Sequence, residues 1–302
     1  MKLSLARDGQ DDEPDRIATE AGRTGSFVFE GRCLAYESYG EGDHVLVFMH
    51  GLLLDSHMNR SLARALAARG QHVVLLDLLG HGRSDKPGHA AEYRIDVYAR
   101  QVVALLDHLD LRQAVIGGIS LGANVSLMTA ARWPGRVRGL VIEIPVLERA
   151  MPAATAMFLP MLMAVRYTSP LLRGTAHAAR QAPQTGLGPL DSVLNAVSLP
   201  PRAITAVLHG LLVGPVAPTI DERRAITAPA LVLGHRWDLI HPFNDAARLS
   251  EQLPNSRLVR ARWPFELRMR PGHLVGEIAA FLDALWAAPS VEPARVRQQR
   301  EQ

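Results

Sequence analysis

Gly118-Ile119-Ser120-Leu121-Gly122 is the stretch of this sequence best suited to chemistry. It follows the apolar run QAVIGG and opens a helix-forming segment, so Ser120 must occupy a sharp strand-to-helix turn with its hydroxyl above the strand ends. Glycines two residues to either side let neighbouring backbone pass without a Cβ clash. A hydroxyl held this way is an acyl-transfer nucleophile once a base takes its proton. His50-Gly51-Leu52 ends another apolar run, HVLVFMH. The Leu52 amide from that loop and the Leu121 amide beside the nucleophile would supply two donors for a developing oxyanion. His50 itself reads as a brace for the loop.

A third motif, Asp77-Leu78-Leu79-Gly80-His81-Gly82-Arg83-Ser84-Asp85, follows the run HVVLLD. Taken in order, the His-Gly loop, this D-x-x-G-H-G-x-S segment and the G-x-S-x-G pentapeptide resemble the α/β-hydrolase superfamily. The resemblance covers residues 26–145 closely and 221–287 more loosely. It implies a serine hydrolase with a cap domain, in which His81 and Asp85 brace loops. It also disfavours the haloalkane dehalogenase and epoxide hydrolase chemistries of this fold, which use an aspartate at the elbow. Esterases, lactonases, carbon-carbon bond hydrolases, cofactor-free perhydrolases and acyltransferases all share the arrangement.

The same resemblance implies an acid after the strand that follows the cap, where Asp238 stands in Gly234-His235-Arg236-Trp237-Asp238. Such a carboxylate orients the base and stabilises its charged form. The base belongs in a loop after the last strand, and counting from RLVRA lands on Trp263-Pro264-Phe265-Glu266, which holds no histidine. His273, in Pro271-Gly272-His273, is the preferred base, which requires a longer loop or a later helix start. His241, three residues past Asp238, is the next candidate. If Glu266 instead occupies the base position, Ser120 lacks an imidazole, and the chain is a non-catalytic or repurposed binding protein on a hydrolase shell.

The elements that must position these groups follow from the pattern of the chain. Residues 1–24 are polar, acidic and without periodicity, and are expected to be disordered. SFVFE and RCLAYESY read as two strands around a Glu30-Gly31 turn, and HVLVFMH as a strand buried on both faces. Strands and helices then alternate: helix 60–69, strand HVVLLD, helix 95–109, strand QAVIGG, helix 121–132 and strand VRGLVIEI. After an interruption come strand ALVLGH, helix 244–252, strand RLVRA and a closing helix from Pro271 to Trp286. This alternation predicts an α/β fold: a mostly parallel, eight-stranded sheet with helices on both faces. The core is expected over 25–145 and 220–288, with a helical cap inserted over 146–219 and a flexible tail over 289–302.

Composition narrows the function further. In 302 residues, 48% are hydrophobic, enough for a sizeable core, and 33 basic against 30 acidic residues leave a net charge of +3. The basic residues are scattered along the chain, so nucleic acid is not an expected partner. Cys33 is the only cysteine and reads as a small buried hydrophobe, so no intrachain disulfide forms. The acidic N-terminus is wrong for a secretory signal, and a cytoplasmic location is expected. The apolar stretch 153–165 is interrupted by Pro160 and falls short of the roughly 20 residues of a membrane span. No metal or organic cofactor is implied. Met151, Met157, Met161 and Met163 give the cap a soft apolar surface, which suits a small apolar acyl substrate. The acyl and leaving groups and the oligomeric state stay open.

Overall fold

The computed structural model describes residues 22–235, 241–262, 266–269 and 272–288. An eight-stranded sheet carries the molecule. Its strands are β1 (Arg23–Phe29), β2 (Arg32–Tyr39), β3 (Val45–Met49), β4 (His72–Leu76), β5 (Ala114–Ile119), β6 (Val137–Glu143), β7 (Ala230–Gly234) and β8 (Ser256–Arg260). They lie in the order β1-β2-β4-β3-β5-β6-β7-β8. The β1·β2 and β2·β4 pairs are antiparallel and every other pair is parallel. The expected mostly parallel sheet is what forms.

Local chemistry accounts for the connections. The β1-β2 hairpin closes through Glu30 at φ 47° and Gly31 at φ 76°. Two positive φ values match the right-handed twist of the flanking strands. β1 begins at Arg23, inside the segment expected to be disordered, while residues 1–21 and 289–302 lie outside the described residues. Strand alternation then splits the core: Val45, Val47 and Met49 pack on one face of the sheet, Leu46 and Phe48 on the other. The first face is covered by α2 (Ile95–His108), α3 (Leu121–Arg132) and α9 (Phe243–Gln252), the second by α1 (Arg60–Ala67) and α11 (Gly272–Ala287). Such double coverage is why β3 and β5 are buried at every residue.

Between β6 and β7 the chain forms α4 (Met151–Tyr167), α5 (Ser169–Gln181), α6 (Gly188–Val197), α7 (Pro201–Val213) and the short α8 (Ile220–Arg224). α4 runs through Pro160 without a break, where the sequence pattern suggested an interruption. Both ends of the insertion are held by one side chain on α3. Asn124 Nδ2 donates to Val146 O at 2.7 Å and to Val216 O at 2.8 Å, and its Oδ1 accepts from the Val146 N–H at 3.0 Å. Asp245 on α9 accepts the Leu147, Arg149 and Ala150 amides. From α6, Asn195 donates to Asp55 in the loop after β3 at 2.6 Å.

Two further differences from the sequence pattern have simple causes. Cys33 is exposed rather than buried, because it pairs across the hairpin with the exposed Val28 and shares with it an uncovered face of the sheet. A four-residue helix, α10 (Glu266–Met269), stands between β8 and α11, and its shortness left no periodicity to read. Among the described residues no single helix is long and apolar enough to cross a membrane; α6 and α7 together pass that test but are bent by 100°.

Candidate active site

Ser120 sits at the junction of β5 and α3 with φ 53° and ψ −106°. That backbone state is unfavourable for a residue with a Cβ, and here the surroundings enforce it. The Ser120 N–H donates to Glu143 O on β6 at 3.0 Å, and the Gly122 N–H donates to His50 O at the end of β3 at 3.2 Å. The flanking glycines are required by contact. A Cβ on Gly118 would stand 2.5 Å from the Gly122 carbonyl carbon, and one on Gly122 would stand 2.6 Å from Met49 O. The turn is thus clamped between β3 and β6, and the hydroxyl stays half-buried at the C-terminal edge of the sheet.

Above it lies an apolar cavity of about 90 Å³. Leu52 and Leu121 line it beside Ser120, with Met151, Ala154 and Phe158 of α4 and Leu208 of α7 opposite. Leu121 is the first residue of α3, so its N–H has no intrahelical acceptor. Leu52 lies inside a tight turn in which the Leu54 N–H donates to Gly51 O at 3.1 Å.

The histidine that meets the serine is His241. Its Nε2 lies 2.9 Å from Ser120 Oγ, within hydrogen-bond reach. This corrects the preference for His273, whose Nδ1 lies 3.2 Å from Glu266 Oε1 instead. The physical reason is the intervening helix: His273 falls in the first turn of α11, where its ring meets Glu266 of α10. Glu266 is buried and its Oε2 accepts the Arg262 N–H at 2.6 Å. Glu266 therefore stands with His273 and not with Ser120. Asp238 lies outside the described residues, as do Trp263, Pro264 and Phe265.

The bracing roles implied for the other motif residues have clear geometry. His50 Nε2 accepts the Leu78 N–H at 3.1 Å, which leaves its proton on Nδ1 to donate to Gly51 O at 2.8 Å. His81 is fully buried, with Nδ1 3.0 Å from Leu79 O; burial, and then the neighbouring His50, pull its pKa well below the usual imidazole value. Asp77 accepts the Ser56 and Arg83 amides, and Asp85 accepts the Cys33 N–H. None of these groups is turned toward Ser120 by a hydrogen bond.

Sequence reasoning missed a buried ionic cluster one strand from the serine. Glu143, the last residue of β6, is fully buried, and Arg268 Nη1 lies 2.6 Å from each of its oxygens. His235 Nε2 stands 3.3 Å from Glu143 Oε1, and Arg268 Nη2 donates to Asn59 Oδ1 at 2.9 Å. Burial pushes the Glu143 carboxyl up, yet Arg268 and then His235 outweigh it and hold the pKa below its ordinary value. The available signal was a lone carboxylate ending a strand buried on both faces, which demands a cation. Which cation it meets depends on a contact spanning 125 residues.

Comparison with known proteins bears on the family and the fold. The family model described as alpha/beta hydrolase fold matches residues 44–261. A haloalkane dehalogenase of Mycolicibacterium paratuberculosis (strain ATCC BAA-968 / K-10) is 32% identical over 112 residues, 36% of this chain and 37% of its own. The chain is thus matched to little more than a third of that relative's length. AB hydrolase superfamily protein YisY of Bacillus subtilis (strain 168) is 27% identical over 241 residues, 75% of this chain and 85% of its own. Among solved structures, the enol-lactonase from Burkholderia xenovorans LB400 superposes with a TM-score of 0.69 at 20% identity, covering 86% of this chain and all of that one. That likeness is one of fold. With the family model spanning most of the chain and the eight strands in place, this protein belongs to the α/β-hydrolase family.

Proposed function

We propose that this protein is a serine hydrolase that cleaves a small apolar ester or related acyl compound through an acyl-enzyme on Ser120. The observation that carries this reading is the 2.9 Å separation of Ser120 Oγ and His241 Nε2. A neutral hydroxyl is a weak nucleophile, and an imidazole at this distance is the usual remedy. In the first step Oγ attacks the acyl carbon while His241 Nε2 takes its proton. The carbonyl oxygen becomes an oxyanion facing the Leu52 and Leu121 amides. His241 then returns the proton to the leaving group, and the acyl stays on Ser120. A water deprotonated by His241 attacks the acyl-enzyme, the acid departs, and the proton passes back to Oγ.

We assign Asp238 to orient His241 Nδ1–H, the role the family resemblance implies for it; Glu143, a carboxylate one strand from the turn, is committed to Arg268 on both oxygens. A cavity of about 90 Å³ walled by Met, Ala, Leu and Phe favours a short, uncharged acyl group. The same distance that supports the enzyme removes the motive for a binding-only protein, because Glu266 is engaged elsewhere.

A fluorophosphonate probe and a panel of p-nitrophenyl esters of increasing chain length test the proposal. Ser120→Ala is expected to lose labelling and turnover. His241→Ala should lower kcat by about 10²- to 10⁴-fold, whereas His273→Ala stays within a few-fold of wild type. Full activity of His241→Ala, or no labelling of the wild-type protein, overturns it.

A further inference from the structure

Basic residues scattered along the sequence are gathered by the insertion into one place. Residues 146–219 hold five arginines and two carboxylates, Glu148 and Asp191. Both carboxylates are engaged elsewhere: Glu148 pairs with Arg223 at 2.5 Å, and Asp191 accepts the Thr185 and Gly186 amides. Four of the arginines, Arg166, Arg173, Arg180 and Arg202, line a cleft of about 890 Å³ together with His89 and His209. No Asp or Glu among the described residues lines it. Arg180 donates to Ser198 O at 2.8 Å, while Arg166, Arg173 and Arg202 form no ion pair among the described residues.

Four guanidiniums lining one cleft without a counter-charge repel one another, and an anion held among them relieves that repulsion. Each guanidinium is a rigid fork of donors matched to two oxygens of one anion, a geometry suited to phosphate. A diphosphate, multiply charged at neutral pH, offsets most of the positive charge of the four guanidiniums that line the cleft. The volume lies in the range of sites for nucleotide-sized ligands, about 300–1,000 Å³. Apolar wall from Pro200, Pro201 and Ala206 gives the rest of such a ligand a surface to lie on.

We propose that this cleft is a second binding site, distinct from the Ser120 cavity, for a ligand carrying two or more phosphate groups. The two sites share walls. α4 presents Phe158 to the Ser120 cavity and Arg166 to the cleft, and α7 presents Leu208 to the first and Arg202 and His209 to the second. A phosphorylated ligand in the cleft therefore bears on the helices that shape the acyl cavity, but its binding does not depend on Ser120 being a nucleophile.

Isothermal titration of the full chain with inorganic diphosphate and with ADP reads the site directly, and flotation with phosphatidylglycerol against phosphatidylcholine vesicles distinguishes a lipid headgroup from a free phosphate ligand. Saturable, salt-sensitive binding is expected. It should weaken at least 10-fold in Arg173→Gln/Arg202→Gln, and stay unchanged in the distant exposed control Arg112→Gln. Thermal melting of the double variant should match wild type, since both side chains are exposed. Binding to phosphatidylglycerol vesicles with no binding of diphosphate or ADP would mean a single-phosphate headgroup and overturns the requirement for two phosphates. The proposal is overturned by no saturable binding in any arm, by binding that the double variant retains, or by citrate binding as tightly as diphosphate. Fluorophosphonate labelling of Ser120 is scored separately and stands or falls on its own.

Discussion

Ser120 holds a backbone conformation that its own side chain disfavours, and it does so because β3 and β6 each take one amide of the turn. The neighbouring Glu143 poses the opposite problem, a favoured charged state in a place without water. Removing one partner of such a pair leaves an uncompensated buried charge. Arg268→Met is expected to cost about 3–5 kcal/mol in urea unfolding. The double change Glu143→Gln/Arg268→Met should recover much of it, and a double variant as unstable as the single one would mean that packing of the arginine, not its charge, is what matters. The pH dependence has a definite sign. Glu143 has a folded-state pKa below its ordinary 4.5, so the unfolded chain binds more protons as pH falls. The stabilisation is complete above about 4.5 and is lost as pH drops through the lower folded value. Thermal melts from pH 6 to 3 should therefore decline less steeply in Glu143→Gln than in the wild type.

Between elements, the junction that matters most for the proposed activity is the one joining the insertion to the sheet. Asn124 projects from α3, the helix that begins beside Ser120, and its amide holds residues at both ends of the insertion. Truncation to alanine strands the Val146 N–H and two carbonyls. Asn124→Ala is expected to lower stability by about 1–3 kcal/mol. It should also raise KM for a short ester more than it lowers kcat, because the wall of the acyl cavity loosens while the Ser120–His241 pair is untouched. An unchanged KM would show that the insertion is held by its other ties, Asp245 and the Asn195–Asp55 bond.

For the molecule as a whole, stability is unevenly distributed. β5 is buried along its length, whereas α4 buries only Ala154, Leu162 and Val165 of its 17 residues and leaves Met157, Met163 and Tyr167 exposed. Segments with few buried contacts open at lower free energy than the core. Native-state hydrogen exchange should show amides of α4 and α5 exchanging orders of magnitude faster than those of β3 and β5. Equal protection would mean that the insertion opens only when the sheet does. Fast local opening of this kind would give an apolar substrate its route to a cavity that is small when closed.

What the sequence by itself determined is everything encoded in short-range pattern. Runs of apolar residues specified the strands, their alternation with helices specified the parallel sheet, and G-x-S-x-G placed one hydroxyl at a bend, because these depend on residues within a turn or two of each other. Only the tertiary structure decided which imidazole meets Ser120. His241 and His273 both lie more than a hundred residues away in the chain, and only packing between distant segments brings His241 to Ser120 and His273 to Glu266. The pairing of Glu143 with Arg268 and the gathering of Arg166, Arg173 and Arg202 into one cleft belong to the same class. Such contacts are made by packing between distant segments, and no local periodicity carries them.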